Sequence, residues 1–136
     1  MGLDVGTKTV GVAISDPLGL TAQPVTTLKV DTAADDFGFD ALTELLKDYQ
    51  PVKIVIGLPK HMNNDEGLRA GASRDYGDRL SALTKAEIVY QDERLTTVQA
   101  EKVLIQGGTR RKERKQYIDK LAAVLILQNY LDAHSL

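Results

Sequence analysis

The chain has 136 residues, of which 43% are hydrophobic and 26% are charged, values typical of one globular domain. It contains no cysteine, so a disulfide framework and a cysteine-ligated zinc site are both excluded. The formal net charge is −2, and no stretch has the features of a signal peptide or a membrane span. These properties predict a soluble, cytoplasmic protein with a single domain over residues 1–136 and no membrane partner.

Three strands are predicted at the start of the chain. Residues 3–5 end a short strand, which a glycine-containing hairpin turn joins to a second strand over 9–15, where apolar and other residues alternate. A further turn leads to a third strand over 22–30, in which Pro24 indicates an edge position or a bulge.

Helices and strands alternate in the rest of the chain. The run 53–57 is almost continuously apolar, which is typical of a strand buried on both faces in the parallel part of a sheet. The run 53–57 is the fourth predicted strand, and a fifth is expected at 87–90. Helices are expected at 35–49, 68–83, 96–106 and 115–132. The order β-β-β-α-β-α-β-α-α predicts an α/β fold, with a mixed five-stranded sheet and helices on both of its faces.

Acidic residues stand at three separate places that a sheet of this kind can bring together. Asp4 lies in the first short strand, and Asp92 and Glu93 follow the last one. Neighbouring strand residues point to opposite faces, so only one of Asp92 and Glu93 can share a face with Asp4. Asp119 lies in an apolar helix, where a carboxylate is costly to bury unless it is paired or binds a metal. A turn cap, a solvated strand end and a helix N-terminal acid are the structural alternatives for each residue alone.

Together these carboxylates can converge on a hard cation. Oxygen ligands without nearby cysteine or histidine favour Mg²⁺ or Mn²⁺ over zinc, and His61 and His134 have no metal-binding spacing. Two such ions about 4 Å apart can activate a water and stabilise the leaving oxygen of a phosphodiester. The sequence therefore predicts metal-dependent phosphodiester hydrolysis by Asp4, Asp119 and one of the Asp92–Glu93 pair.

Positive charge is concentrated in one short segment. Residues 110–115 hold five basic side chains and one acid, so the rest of the chain carries 12 basic and 18 acidic side chains, a net charge of −6. A basic patch on an acidic body is typical of a nucleic-acid-binding surface, although a solvated loop or helix start gives the same pattern. The residues expected to hold the phosphate backbone are Arg110, Arg111, Lys112, Arg114 and Lys115.

Four segments in chain order resemble the YqgF/RuvX family. They are residues 3–13 (LDVGTKTVGVA), 57–64 (beginning Gly-Leu-Pro), 92–97 (DERLTT) and 118–131. The matches extend over essentially the whole chain. The resemblance implies an RNase H-like fold, related to Holliday junction resolvases of the RuvC type. It also implies a cytoplasmic nuclease that matures the 5′ end of pre-16S ribosomal RNA.

The resemblance also assigns roles to individual residues. It implies that Asp4, Asp119 and Glu93 (or its neighbour Asp92) are the catalytic acids and metal ligands. It places four further residues near the substrate: Lys8, Arg94, Thr96 and Thr97. The implied partners are precursor rRNA or branched DNA, with ribosomal particles as a further partner, for a monomer or a weak homodimer.

The chain departs from the family pattern in three places. Members usually have a few more residues before the first acid, so a very short first strand or a shortened start is expected. His61 and Leu68 stand where asparagine and proline are usual. The strand ending at Gly57 carries no acid, whereas RuvC-type resolvases place one on a comparable strand, so the second metal ligand is expected from Asp92–Glu93.

Three other functions are compatible with parts of the pattern. A Holliday junction resolvase acting on DNA and a non-catalytic protein that binds nucleic acid or ribosomes are the principal alternatives. Actin-like ATPases and sugar kinases share an Asp-x-Gly-Thr hairpin, but they need two lobes to enclose a nucleotide, and 136 residues leave no room for a second.

Overall fold

The computed structural model describes residues 1–6, 8–31, 34–58, 68–92 and 111–134; at 68–70, 92 and 111–120 it describes the backbone. Within these ranges the chain forms five strands and three helices. The strands are β1 (Gly2–Val5), β2 (Thr9–Ser15), β3 (Ala22–Lys29), β4 (Lys53–Leu58) and β5 (Glu87–Asp92). The helices are α1 (Phe39–Tyr49), α2 (Leu68–Ser81) and α3 (Arg111–His134).

The five strands form one mixed sheet in the order β3-β2-β1-β4-β5. The pairs β1–β2 and β2–β3 are antiparallel, whereas β1–β4 and β4–β5 are parallel. The carboxyl ends of β1, β4 and β5 therefore lie at one edge of the sheet, here called the carboxyl edge. The start of β2 and the end of β3 lie at the same edge, because Thr9 pairs with Lys29. The opposite edge is called the amino edge.

Each face of the sheet is covered by helices, as the sequence predicts. Strand residues alternate between the faces. One core contains Leu3, Val10 and Ile56 from the strands, with Leu42 of α1 and Tyr76 of α2. The other core joins strand residues to α3 and contains Ala13, Val55, Ala123, Ile126 and Leu127. Strand β4 contributes to both cores, which confirms that it is buried on both faces.

Helix α1 begins later than the sequence predicts. It starts at Phe39 rather than at residue 35. Asp35 has φ of 57° and Gly38 has φ of 69°, and neither conformation can continue a right-handed helix. The preceding residues instead form a small bridge between Asp31 and Asp36, and the Asp36 carboxylate accepts a hydrogen bond from the Gly38 amide.

Other boundaries also shift, mostly outward. Helix α3 begins at Arg111 rather than residue 115, so most of the basic segment is helical, and β5 extends to Asp92. Pro24 predicts an edge position or a bulge, and both are found: β3 is an edge strand, and its register with β2 shifts between Val12 and Ala13. The helix predicted over 96–106 lies outside the described residues. No helix in the described ranges is both long and apolar enough to cross a membrane.

Helix α2 packs closely on β5 through a glycine. The Tyr90 hydroxyl donates a hydrogen bond to the carbonyl oxygen of Arg74, and the Arg74 guanidinium lies 5.1 Å from the centre of the Tyr90 ring. A Cβ atom at Gly77 would overlap the Tyr90 hydroxyl and lie 3.1 Å from Ile56 Cδ1. A side chain at this position would therefore force the Tyr90 ring to shift or α2 to move away from the sheet.

We expect Gly77→Ala to lower the free energy of unfolding by about 1–3 kcal/mol, because overpacking exceeds the gain in helix propensity. Urea denaturation measures the change. Gly71→Ala in the same helix is the control, since nothing lies within 4 Å of its new methyl group. That variant should be as stable as the wild type or more so. Adding Tyr90→Phe should recover part of the Gly77→Ala loss; no recovery would contradict the assigned clash.

Candidate active site

Asp4 lies near the carboxyl end of the central strand and is half-buried. Its side chain shares a face with Gly2, two residues earlier. That face is covered by α3, since a Cβ atom at Gly2 would lie 2.7 Å from the Cβ of Leu127 and 3.1 Å from the carbonyl oxygen of Ala123. Asp4 is therefore on the face of the sheet that α3 covers.

The residues beside Asp4 in the sheet have no side chains. Gly11 of β2 is its register partner. On the other side, Leu3 pairs with Ile56, so Gly57 is the next residue of β4 beside Asp4. Both glycines are buried. Neither neighbour of Asp4 in the sheet therefore places a side chain beside its carboxylate on the α3 face.

The direction of α3 follows from contacts at its C-terminal half. The Tyr130 hydroxyl accepts a hydrogen bond from Lys53 Nζ at 3.3 Å, at the start of β4. The Gln128 side chain accepts a hydrogen bond from the Ala22 amide at 2.9 Å and donates one to the Leu20 carbonyl at 3.0 Å, at the start of β3. These contacts are all at the amino edge. Helix α3 therefore runs antiparallel to β1, with its N-terminal half towards the carboxyl edge.

The backbone of Asp119 lies in the part of α3 that extends over Asp4. Asp119 precedes Ala123 by four residues, a displacement of about 6 Å along a helix. Asp4 follows Gly2 by two residues, a displacement of about 6.6 Å along a strand in the same direction. Because Gly2 and Ala123 are in contact, the two acids occupy matching positions along the helix–sheet interface.

Asp92, the first residue of the Asp92–Glu93 pair, is at the same edge of the sheet. Asp92 is the last residue of β5 and pairs with Leu58 at the end of β4. Along β5, Val89 packs in the core beneath α3, whereas Ile88 and Tyr90 pack in the other core. Asp92 lies two residues after Tyr90 and four after Ile88, so its position in the strand belongs to the same face as theirs. Glu93 lies outside the described residues, as do Arg94, Thr96, Thr97 and Arg110.

The predicted substrate-binding residues that the structure describes lie at or beyond the carboxyl edge. Lys8, in the β1–β2 hairpin, has a side chain that is 74% exposed and lies 3.5 Å from the Asp31 carboxylate. An ion pair this exposed is weak and leaves the ammonium available to an incoming anion. Sequence reasoning did not single out Asp31, because nothing local shows that the end of β3 meets this hairpin.

The first turns of α3 carry Arg111, Lys112, Arg114 and Lys115. They precede Ala123 by 8 to 12 residues, or about 12–18 Å along the helix axis. Strand β1 continues only about 10 Å beyond Gly2, so this backbone passes the carboxyl edge. The basic segment and the acids are therefore at the same end of the molecule.

The described side chains do not by themselves form a metal centre. Among them, no three metal-ligating residues are grouped. Asp4 is the one member of the predicted ligand set whose side chain is described, and it offers oxygen ligands beside two glycines. A half-buried carboxylate supplies the oxygen ligands that a hard divalent cation prefers, so this residue fits Mg²⁺ or Mn²⁺.

A model of the family described as "RuvX: Holliday junction resolvase" matches residues 1–133 of the chain. The chain belongs to the RuvX family. A relative from Lactococcus lactis subsp. cremoris is 69% identical over all 136 residues, which cover 95% of that protein. A relative from Streptococcus thermophilus is 62% identical over 133 residues, which are 97% of this chain and 96% of that protein. Both carry the name "putative pre-16S rRNA nuclease".

Two solved structures share the fold of this RuvX protein. Fowlpox virus resolvase in complex with Holliday junction DNA gives a TM-score of 0.58 at 12% identity, covering 99% of this chain and 97% of that one. Thermus thermophilus RuvC in complex with a Holliday junction gives 0.56 at 17% identity, covering 97% and 92%. These similarities confirm the RNase H-like fold.

A cavity of about 690 Å³ lies at the amino edge of this RuvX protein. Its lining includes Ser15, Asp48, Tyr49 and Tyr130. It is at the opposite end of β1 from Asp4. The cavity therefore does not coincide with the predicted site at the carboxylates.

The Gln128 side chain fixes α3 to the start of β3 by two hydrogen bonds to the backbone. We expect Gln128→Ala to lower the free energy of unfolding of the RuvX protein by about 1–2 kcal/mol, because the Ala22 amide loses its partner. Thermal or urea denaturation measures this change. Asn129→Ala, at the exposed neighbouring position, should change stability by less than about 0.5 kcal/mol. Equal effects of the two substitutions would contradict the anchoring role.

Proposed function

We propose that this RuvX protein is a metal-dependent endonuclease that hydrolyses phosphodiester bonds in structured nucleic acid, with 5′-end processing of pre-16S rRNA as its main activity. Family membership and the names of its close relatives support a nuclease. The observation that carries the proposal is the meeting of Asp4, the Asp119 backbone, the end of β5 and the basic start of α3 at one edge of the sheet.

The proposed ligands are Asp4, Asp119 and Glu93, with Asp92 as the alternative to Glu93. Strand parity favours Glu93 over Asp92, because Asp92 alternates in step with Ile88 and Tyr90, which pack in the core away from α3. Bound Mg²⁺ or Mn²⁺ would supply an activated water and neutralise the charge that develops on the phosphate. The carboxylates would fix the site relative to the sheet, and the closely packed α3 would limit the entry of bulk solvent.

Charge distribution would orient the substrate. Arg110, Arg111, Lys112, Arg114 and Lys115 would bind the phosphate backbone next to the acids. The remainder of the chain has a net charge of −6 and would repel the same polyanion elsewhere. Lys8 would contact a phosphate near the cleaved bond, together with Arg94, Thr96 and Thr97. This binding would be salt-dependent and would not read the base sequence.

The second candidate function is resolution of branched DNA. The family description names a Holliday junction resolvase, and both structural relatives were solved with junction DNA. A resolvase cuts two strands symmetrically and therefore works best as a two-fold dimer. We favour precursor rRNA because relatives at 62–69% identity bear that name. Processing of rRNA would place the protein in the cytoplasm, on or near ribosomal particles.

Asp4→Asn tests the catalytic assignment. We expect it to reduce Mg²⁺-dependent cleavage by at least 10³-fold, in the range lost when a principal catalytic group is removed. Binding to the same substrate, measured by fluorescence anisotropy, should change little because the basic segment is intact. Asp48→Asn is the control, since that exposed acid lies on α1, on the other face of the sheet. Full cleavage by Asp4→Asn would contradict the assignment.

The same assay separates the candidate functions when two substrates are compared. One is an RNA carrying the precursor 5′ extension, and the other is a four-way DNA junction of similar length. Selective cleavage of the RNA supports the favoured function, and selective cleavage of the junction supports the alternative. Tight binding to both without cleavage in Mg²⁺ or Mn²⁺ would show that the protein is a non-catalytic binder.

A further inference from the structure

A row of three residues crosses the sheet at the level of Asp4. Asp4 of β1 pairs with Gly11 of β2, and Gly11 pairs with Thr27 of β3. Residues that are directly opposite in a sheet project from the same face. Thr27 therefore shares the α3 face with Asp4, and the residue between them has no side chain.

The Thr27 hydroxyl is an unusual group in this position. Its oxygen is buried and has no hydrogen-bond partner among the described residues. A buried hydroxyl without a partner destabilises the fold, whereas valine has nearly the same shape and would avoid that penalty. The hydroxyl thus acts against stability unless it gains a partner when the site is filled.

The distance across the row indicates what that partner is. Asp4 and Thr27 are two strands apart, so their backbones are separated by about 10 Å. A direct hydrogen bond between such short side chains does not span this gap. A hydrated divalent cation does: ligand oxygens lie about 2.1 Å from Mg²⁺, and its waters donate hydrogen bonds of about 2.8 Å. A hydration shell that extends from Asp4 toward Thr27 would pass over Gly11, which has no side chain.

We propose that Thr27 is a positioning residue of the cation site, and that its hydroxyl accepts a hydrogen bond from the hydration shell of the divalent cation held by Asp4. The proposal rests on the proposed function, because it requires a cation at Asp4. It adds a polar group from β3 to a site otherwise formed by β1, β5 and α3. It also explains why a buried hydroxyl occupies this position of the row.

Three variants of the full chain test the role of Thr27. Thr27→Val removes the hydroxyl, and Thr27→Ser keeps it. Thr26→Val is the control, because Thr26 pairs with Val12 and so faces the opposite core. For each protein, Tm is measured without metal, and the Kd for Mn²⁺ is measured by isothermal titration calorimetry in the absence of nucleic acid.

We expect Thr27→Val to raise the metal-free Tm while weakening Mn²⁺ binding by about three- to tenfold, the effect of losing one hydrogen bond. Thr27→Ser should bind Mn²⁺ as the wild type does, and Thr26→Val should leave the Kd unchanged. A purely structural role cannot give opposite changes in these two measurements, because loss of packing would lower Tm.

Two results would overturn the proposal. One is a Thr27→Val protein that binds Mn²⁺ as tightly as the wild type, and the other is one that melts at a lower temperature without metal. Asp4→Asn separates this failure from failure of the proposed function. If Asp4→Asn loses Mn²⁺ binding but Thr27→Val does not, only the role of Thr27 is wrong. If the wild type itself binds no Mn²⁺, the metal-dependent function and the role of Thr27 both fail.

Discussion

The contact between Gly2 and α3 determines how the rest of the candidate site is arranged. The absence of a side chain at Gly2 allows the helix backbone near Ala123 to approach the central strand, where even a methyl group would collide. This close approach fixes two quantities: the distance between α3 and β1, and the position of α3 along the strand. Those two quantities also determine how far the Asp119 backbone lies from Asp4. A backbone–backbone contact at the amino edge thus controls geometry at the carboxyl edge, one helical turn away.

The amino edge of the sheet anchors α3, whereas the carboxyl edge carries the candidate site. At the amino edge, Gln128 and Tyr130 hydrogen-bond to the starts of β3 and β4, so α3 is fixed by neutral or exposed polar groups. At the carboxyl edge, Asp4 lies between two glycines, and the proposed site would bring further carboxylates next to it. Repulsion among carboxylates opposes folding, and a bound cation relieves it. The stability needed to hold the acids together therefore comes from the far end of the helix and from the two cores.

The sequence predicts the sheet well because burial dictates its pattern. The alternating residues of β2 and the apolar run of β4 identify their faces and neighbours without further information. The start of α1 is missed because Asp35 and Gly38 adopt positive φ, which the surrounding apolar periodicity does not reveal. The sequence places the start of α3 too late in the chain. The arginine and lysine residues before position 115 favour a helix as strongly as many apolar residues do.

The sequence predicts only part of the candidate site. Asp4 and Asp119 can be proposed from their apolar surroundings, but their relative position depends on the direction of α3, which long-range contacts decide. Thr27 is hidden by the bulge in β3. Ala22 faces α3, so simple alternation places Thr27 on the other face; the register shift opposite Val12 and Ala13 reverses that parity. A bulge of this kind changes which residues reach the site without any distinctive local motif.

The most direct test of the account is an X-ray structure of the protein crystallised with Mn²⁺, with data collected at the manganese absorption edge. The account requires an anomalous peak within about 2.3 Å of a carboxylate oxygen of Asp4, with Asp119 contributing to the same cluster from α3. A structure at saturating Mn²⁺ with no peak beside Asp4, or with the Asp119 carboxylate directed away from it, would contradict the central claim.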